Sequence, residues 1–209
     1  MNINTVNGVY KYVPTALYYG RKIIDKNQAK ENLLLFKKIM DKEGVSFGLI
    51  YGTLLGAIRE KDFISHDEDI DVFMLDEYRE KFLALLFVFR EKGFEVARYE
   101  NDLLSLIRKD DYIDVYIFNK SLLGRKCNGD FLPSNFFIKF DNVEFCSDTF
   151  QTLNNPIKFL EYAYGKTWNI PQRNKPAEVK SFLTVLKIVI RKILPDPVVS
   201  LLKRIIGKK

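Results

Sequence analysis

Between positions 30 and 43, Leu33, Leu34, Leu35, Phe36, Ile39 and Met40 recur near helical spacing, and Gly44 stops the run; this predicts a helix. Positions 45–50 are short and apolar, as a buried strand is, and 52–60 (GTLLGAIRE) read as a short helix opening straight off it. Positions 70–75 (IDVFML) predict a second strand. Asp76 is then placed to cap a long amphipathic helix over 77–92, which Gly93 ends. Positions 94–99, 103–108 and 112–118 predict three strands joined by tight polar turns such as Glu100-Asn101-Asp102. The stretch 119–149 is broken by Gly, Pro and Asn around short strands such as 143–146. A helix over 156–164 and a loop over 165–176 follow, and two basic amphipathic segments, 182–194 and 198–206, flank Pro195-Asp196-Pro197. The first 27 residues are Tyr- and Asn-rich with weak periodicity. Helix, strand, short helix, strand, helix and strands in this order predict an α+β, mixed α/β domain whose mixed sheet is flanked by helices.

Composition narrows the class. At 209 residues, with 47% hydrophobic and 29% charged residues, the chain fits one globular domain with an appendage, and wholesale disorder is excluded. Cys127 and Cys146 form no CxxC pair and His66 is the only histidine, which is too few ligands for a structural zinc site. A disulfide framework is not expected, and a reducing compartment fits best. No apolar run followed by a cleavage site marks the first 27 residues as a signal peptide. Positions 182–194 carry three cations and fall short of the ~20 apolar residues a spanning helix needs. The expectation is a cytoplasmic protein, soluble or peripheral on the membrane.

The candidate chemistry lies in 51–74, YGTLLGAIREKDFISHDEDIDVFM. Asp67, Glu68, Asp69 and Asp71 fall within five residues. A charge run is most often a solvated loop. Here, however, Asp69 and Asp71 alternate with Ile70 and Val72, and residues i and i+2 of a strand face the same way. Two carboxylates pointing together repel and call for a counter-ion, for which an oxygen-seeking divalent cation, Mg²⁺ or Mn²⁺, is suited. Just upstream, Gly52-Thr53 sits where strand becomes helix. Backbone N–H groups and the helix dipole make such a place an anion site, and Thr53 is placed to cap the helix and donate to a phosphate. Asp114 is the one charge in the apolar strand 112–118 and is expected to supply a third metal carboxylate; the alternative is an exposed strand end. Phosphate cradle and metal carboxylates together equip phosphoryl or nucleotidyl transfer.

The G-[ST], D-x-D and later strand Asp resemble the nucleotidyltransferase fold of the polymerase-beta superfamily. The longer string resembles the LicD family, which includes the fukutin-related proteins: Gly52 to Gly56, Arg59, Asp67, Asp69 and Asp71 match its first signature. Positions 159–171 (FLEYAYGKTWNIP) resemble its second, so the likeness covers about residues 33–171. Ser65-His66 stands where the family usually has Pro-Trp, and Glu68 where it has Asp. These departures leave the metal residues in place and bear on the substrate.

The resemblance implies transfer of a phospho-alcohol (phosphocholine, or alditol or glycerol phosphate) from a CDP-linked donor to a hydroxyl of a glycan or lipid-linked glycan of the lipopolysaccharide, capsule or teichoic acid type. It gives Asp69, Asp71 and Asp114 the metal and the catalytic work, and Gly52 and Thr53 the donor phosphate. Arg59 reaches the same oxygens or pairs with Asp67, and Asp67 binds a second metal or positions the acceptor. His66 is a base or a pocket wall, and Lys166 and Trp168 are candidate contacts to sugar or base. The alternative within the fold is a nucleotidyltransferase that moves NMP from an NTP.

Charge divides the chain. Residues 172–209 hold 10 Lys+Arg and 2 Asp+Glu, net +8, while the other 171 hold 23 and 25, net −2. The overall +6 therefore belongs to the tail, and nucleic acid is not the expected partner. The reading is an N-terminal extension (1–27), a catalytic domain (28–171) and a basic amphipathic tail (172–209). The tail's segments, 178–206, either meet an anionic membrane on its inner face or pack on the protein.

Overall fold

The computed structural model describes residues 1–172, 176–179, 181 and 183–186. Strand β1 (Asn2–Thr5) pairs antiparallel with β2 (Gly8–Lys11). Helix α1 (Lys26–Lys42) follows, its first amides capped by the Asp25 carboxylate at 3.0 Å. Then come β3 (Phe47–Leu49), α2 (Tyr51–Arg59), β4 (Ile70–Leu75), α3 (Arg79–Ala84) and α4 (Leu86–Glu91). Strands β5 (Glu95–Glu100), β6 (Leu103–Arg108) and β7 (Asp111–Ser121) meander antiparallel. The hairpin β8 (Gly124–Cys127) and β9 (Asp130–Pro133), then β10 (Phe140–Phe145), β11 (Asp148–Leu153) and α5 (Pro156–Tyr164) complete the elements.

The main sheet runs β10-β11-β3-β4-β7-β6-β5, with β8 and β9 extending β7. It is mixed: β11–β3 and β4–β7 are parallel and the other pairs antiparallel. The expected architecture is therefore observed. Core aromatics lock the helices to the sheet. Phe36 of α1 stacks on Phe89 of α4 at 5.2 Å and meets Phe47 of β3 edge-on at 5.0 Å. Ile70, Val72 and Met74 are fully buried, which anchors the central strand.

Two expectations need correction. Residues 77–92 do not form one helix: a 3-10 turn over Asp76–Tyr78 precedes α3, and the helix breaks at Leu85. There the Leu85 N–H divides between the carbonyls of Lys81 (3.2 Å) and Phe82 (3.0 Å), so the helical ladder slips by one residue. Asp76 caps nothing; its carboxylate accepts from Arg125 at 2.7 Å. Ile3, Tyr10, Tyr12 and Ile24 of the N-terminal extension join the hydrophobic core.

Beyond the loop, the Glu178 amide donates to the Ala163 carbonyl at 2.7 Å, and Ala177 and Val179 pack on the core. Most of the two amphipathic segments lies outside the described residues. Among the described residues no helix is long and apolar enough to cross a membrane.

Candidate active site

The pairing registers place four polar residues in one row across the centre of the sheet. Arg98 on β5 stands opposite Ser105 on β6, Ser105 opposite Asp114 on β7, and Asp114 beside Asp71 on β4. Asp71 and Asp114 are 6% and 3% exposed, and Ser105 is fully buried, so this row is shielded from water except where the cleft reaches it. Arg98 Nη2 donates to both Asp114 oxygens at 3.0 and 3.2 Å, its Nε donates to Ser105 Oγ at 3.1 Å, and Ser105 Oγ donates to Asp114. No local sequence signal marks Arg98; only the strand register does.

The glycine turn docks on the end of this row. Tyr51 opens α2 at φ 44°, the left-handed region that a bulky side chain rarely adopts. It is held there by its hydroxyl on Asp130 (3.1 Å) and by an edge-on contact with Tyr116 at 5.0 Å. The Gly52 N–H that follows donates to Asp71 Oδ2 at 2.8 Å. A Cβ at position 52 would lie 3.0 Å from Asp71 Oδ2 and 3.1 Å from Asp67 Oδ2, so two carboxylates converge on the bare Cα of Gly52. Thr53 neither caps the helix, whose N-cap is Ile50, nor reaches the cleft. It is 1% exposed, and its hydroxyl accepts the Asp71 N–H at 2.8 Å, which ties the turn to the acidic strand.

The cleft above has a volume of about 770 Å³. Gly52, Arg59, His66, Asp67, Asp69, Arg98, Asp114 and Trp168 line it, together with Tyr112, Tyr116 and Tyr164. Arg59 does not pair with Asp67: it donates to Glu60 at 2.7 Å and to the Trp168 carbonyl at 3.2 Å, and its buried Nε has no partner among the described residues. Trp168 packs partly on the core and also lines the cleft. Lys166 is exposed and lies outside the lining.

The electrostatics are those of crowded acids. Burial pushes Asp67 up to about 7 and, with repulsion from Asp114 and Asp67 added, Asp69 up to about 8. Asp71 is held well above the usual carboxylate range by burial and by Asp69. Asp114 is also raised by burial, although Arg98 and Ser105 oppose the shift. Asp67 Oδ2 is buried with no hydrogen-bond partner among the described residues. A surplus of hard oxygen donors with one guanidinium in direct contact is the donor chemistry of a divalent oxygen-ligating cation. Among the described residues no three acidic, His or Cys side chains already stand grouped to hold a metal ion, and Asp114 is turned toward Arg98 and Ser105.

Comparison with known proteins bears on this site. The solution structure of the antibiotic-resistance factor ANT(2'')-Ia superposes with a TM-score of 0.51 at 11% identity, covering 73% of this chain and 78% of that one, which is a likeness of fold. The human ribitol-5-phosphate transferase FKTN is 30% identical over 161 residues, 70% of this chain and 34% of that protein. The lipopolysaccharide cholinephosphotransferase LicD of Haemophilus influenzae is 40% identical over 68 residues, 32% of this chain and 26% of that protein. The chain thus spans about a third or less of the length of these curated relatives. The family model "LicD/FKTN/FKRP, nucleotidyltransferase domain" matches residues 44–160, which contain the glycine turn, the acidic run and the whole polar row, and the chain belongs to the LicD family.

Proposed function

We propose that this domain transfers a phospho-alcohol, of the phosphocholine, alditol-phosphate or glycerol-phosphate type, from a CDP-linked donor to a hydroxyl of a cell-surface glycan. The observation that carries the reading is the register-aligned row Arg98–Ser105–Asp114–Asp71 ending on the Gly52 turn, with Asp67 and Asp69 beside it in one cleft. The two relatives named above support the class of group moved, a phosphorylated alcohol in each case.

Asp69, Asp71 and Asp114 would hold Mg²⁺ or Mn²⁺, which when bound neutralises charge on the donor diphosphate and on the leaving CMP. The acceptor hydroxyl oxygen forms a bond to the phosphorus that bears the alcohol. The bond from that phosphorus to the bridging oxygen breaks, and CMP departs with the electron pair. Asp67 Oδ2, buried and without a partner, takes the acceptor proton, and its carboxyl near 7 suits that task at neutral pH. Arg98 and Ser105 fix the Asp114 carboxylate in its place in the row. Gly52 acts through its amide on Asp71, and Arg59, on the cleft wall, holds donor phosphate.

The test is to incubate the full chain and Mg²⁺ with CDP-choline, CDP-ribitol or CDP-glycerol and, separately, with NTPs. Release of CMP from a CDP-alcohol is expected. Pyrophosphate from an NTP, with no CMP from any CDP-alcohol, would instead establish NMP transfer.

A further inference from the structure

We propose that residues 15–24 form a preorganised platform on which Tyr18 and Tyr19 take the pyranose faces of the acceptor glycan. Four sets of bonds fix this segment along the rim of the cleft. The Thr15 N–H donates to the Ala97 carbonyl and the Ile24 N–H to the Asp67 carbonyl, both at 3.0 Å. Between them the Gly20 N–H meets both Glu68 carboxylate oxygens at 2.8 Å. Arg21 pairs with Asp110, and Lys22 pairs with Asp111 at 2.7 Å. Leu17, Tyr18 and Tyr19 line the cleft from this strap.

Tyr18 and Tyr19 are 64% and 75% exposed, and neither ring has a ring contact or a side-chain hydrogen bond within the described residues. Two unpartnered aromatic faces on a backbone tied at both ends are a binding surface whose ordering cost is already met. The chemistry of the ligand follows from two features. The strap's cations are neutralised by Asp110 and Asp111, so it offers no free charge to a phosphate. The rings also stand at the mouth of the cleft with much of their surface open, which suits a ligand that continues outward. A neutral, chain-like ligand with apolar C–H faces that continues out of the cleft fits both, and a glycan has these properties. Glu68 accordingly serves as the anchor of the strap. Its carboxylate is spent on the Gly20 amide, and it sits between Asp67 and Asp69, so the platform is tied directly to the acidic cluster.

This inference rests on the glycan-acceptor reading above, but it can be tested without donor or turnover. Saturation-transfer NMR on the full chain with methyl glucopyranoside, methyl galactopyranoside and their N-acetylamino counterparts should show transfer to the ring C–H protons of at least one. Tyr18→Ala/Tyr19→Ala should weaken that binding by about tenfold, and Tyr18→Phe/Tyr19→Phe should retain it. Glu68→Ala, which frees the strap, should weaken it with an unchanged melting temperature of the core. CDP binding in Mg²⁺, followed by calorimetry, should be the same in all these variants. The proposal is overturned if no pyranoside receives saturation, if the Ala pair binds as the parent does, or if the Ala pair loses CDP affinity instead. Loss of CMP release with intact pyranoside binding would count against the donor chemistry and leave the platform standing.

Discussion

Gly52→Ala separates the fold from the chemistry. In an ordinary helix the change gains up to about 1 kcal/mol, and less near the first turn. Here the new methyl meets Asp71 Oδ2 at 3.0 Å and Asp67 Oδ2 at 3.1 Å, whereas comfortable contacts begin near 3.4 Å. Each carboxylate must yield by a few tenths of an ångström, and the 2.8 Å bond from the Gly52 N–H to Asp71 must adjust with them. Side-chain carboxylates can move that far without disturbing the sheet, so the two energetic effects nearly cancel. The melting temperature should stay within about 3 °C of the parent. Turnover should not be spared: displacements near 1 Å cost about 100-fold, so a few tenths at two adjoining acids should cost about tenfold or more. The assay is CMP release alongside a thermal melt of the same preparation. Unchanged turnover would refute the convergence of Asp67 and Asp71 as the working site. Loss of the folding transition would show Gly52 to be a packing requirement of the sheet and not a clearance for the acids.

Further outcomes follow from the same geometry. Thr53→Val keeps the shape but leaves the Asp71 N–H buried and unpaired, which should cost about 1–3 kcal/mol, read as a lower denaturation midpoint, while Thr53→Ser should recover it. Arg98→Lys cannot reproduce the fork that spans Ser105 and both Asp114 oxygens, so kcat should fall about tenfold with the donor KM little changed. In chelator, the native protein keeps protons on Asp67 and Asp69 up to about 7 and 8, whereas the unfolded chain releases them near 3.8. Stability should therefore be fullest toward pH 4 and fall as pH rises to 8. Asp69→Asn, monitored by thermal melts across that range, should flatten the slope, and a slope of the opposite sign would refute the acid crowding.

Much of this was legible in the chain because its signals are local. DIDVFML declares a strand with Asp69 and Asp71 two positions apart at its start, and GTLLG declares a turn into a helix. The resemblance to the LicD family, read from those residues, is borne out by the family match over residues 44–160. What stayed hidden depends on register. Nothing in EVARYE states that Arg98 reaches across β6 to Asp114, whereas the lone charge in the apolar strand 112–118 does point to Asp114 as the acid that joins Asp69 and Asp71. Thr53 was misplaced for a related reason: its hydroxyl is satisfied by a backbone amide 18 residues away, a partner that local capping rules do not contain. The strap escaped notice because hydrogen bonds to Glu68, Asp67 and Ala97 fix it, and no periodicity of its own does. The unbroken pattern over 77–92 concealed the slip at Leu85, where packing of Phe82, Leu86 and Phe89 decides the path and neither Gly nor Pro marks it.

That Asp69, Asp71 and Asp114 bind a divalent cation is tested, without any assumption about substrate, by direct titration of the full chain with Mn²⁺, followed by electron paramagnetic resonance of the free ion. Saturable binding is predicted, weakened about 100-fold or more in Asp69→Asn/Asp71→Asn, since even outer partners of metal ligands carry 10–100-fold. No saturable binding by the parent chain, or equal binding by the double variant, would contradict the account.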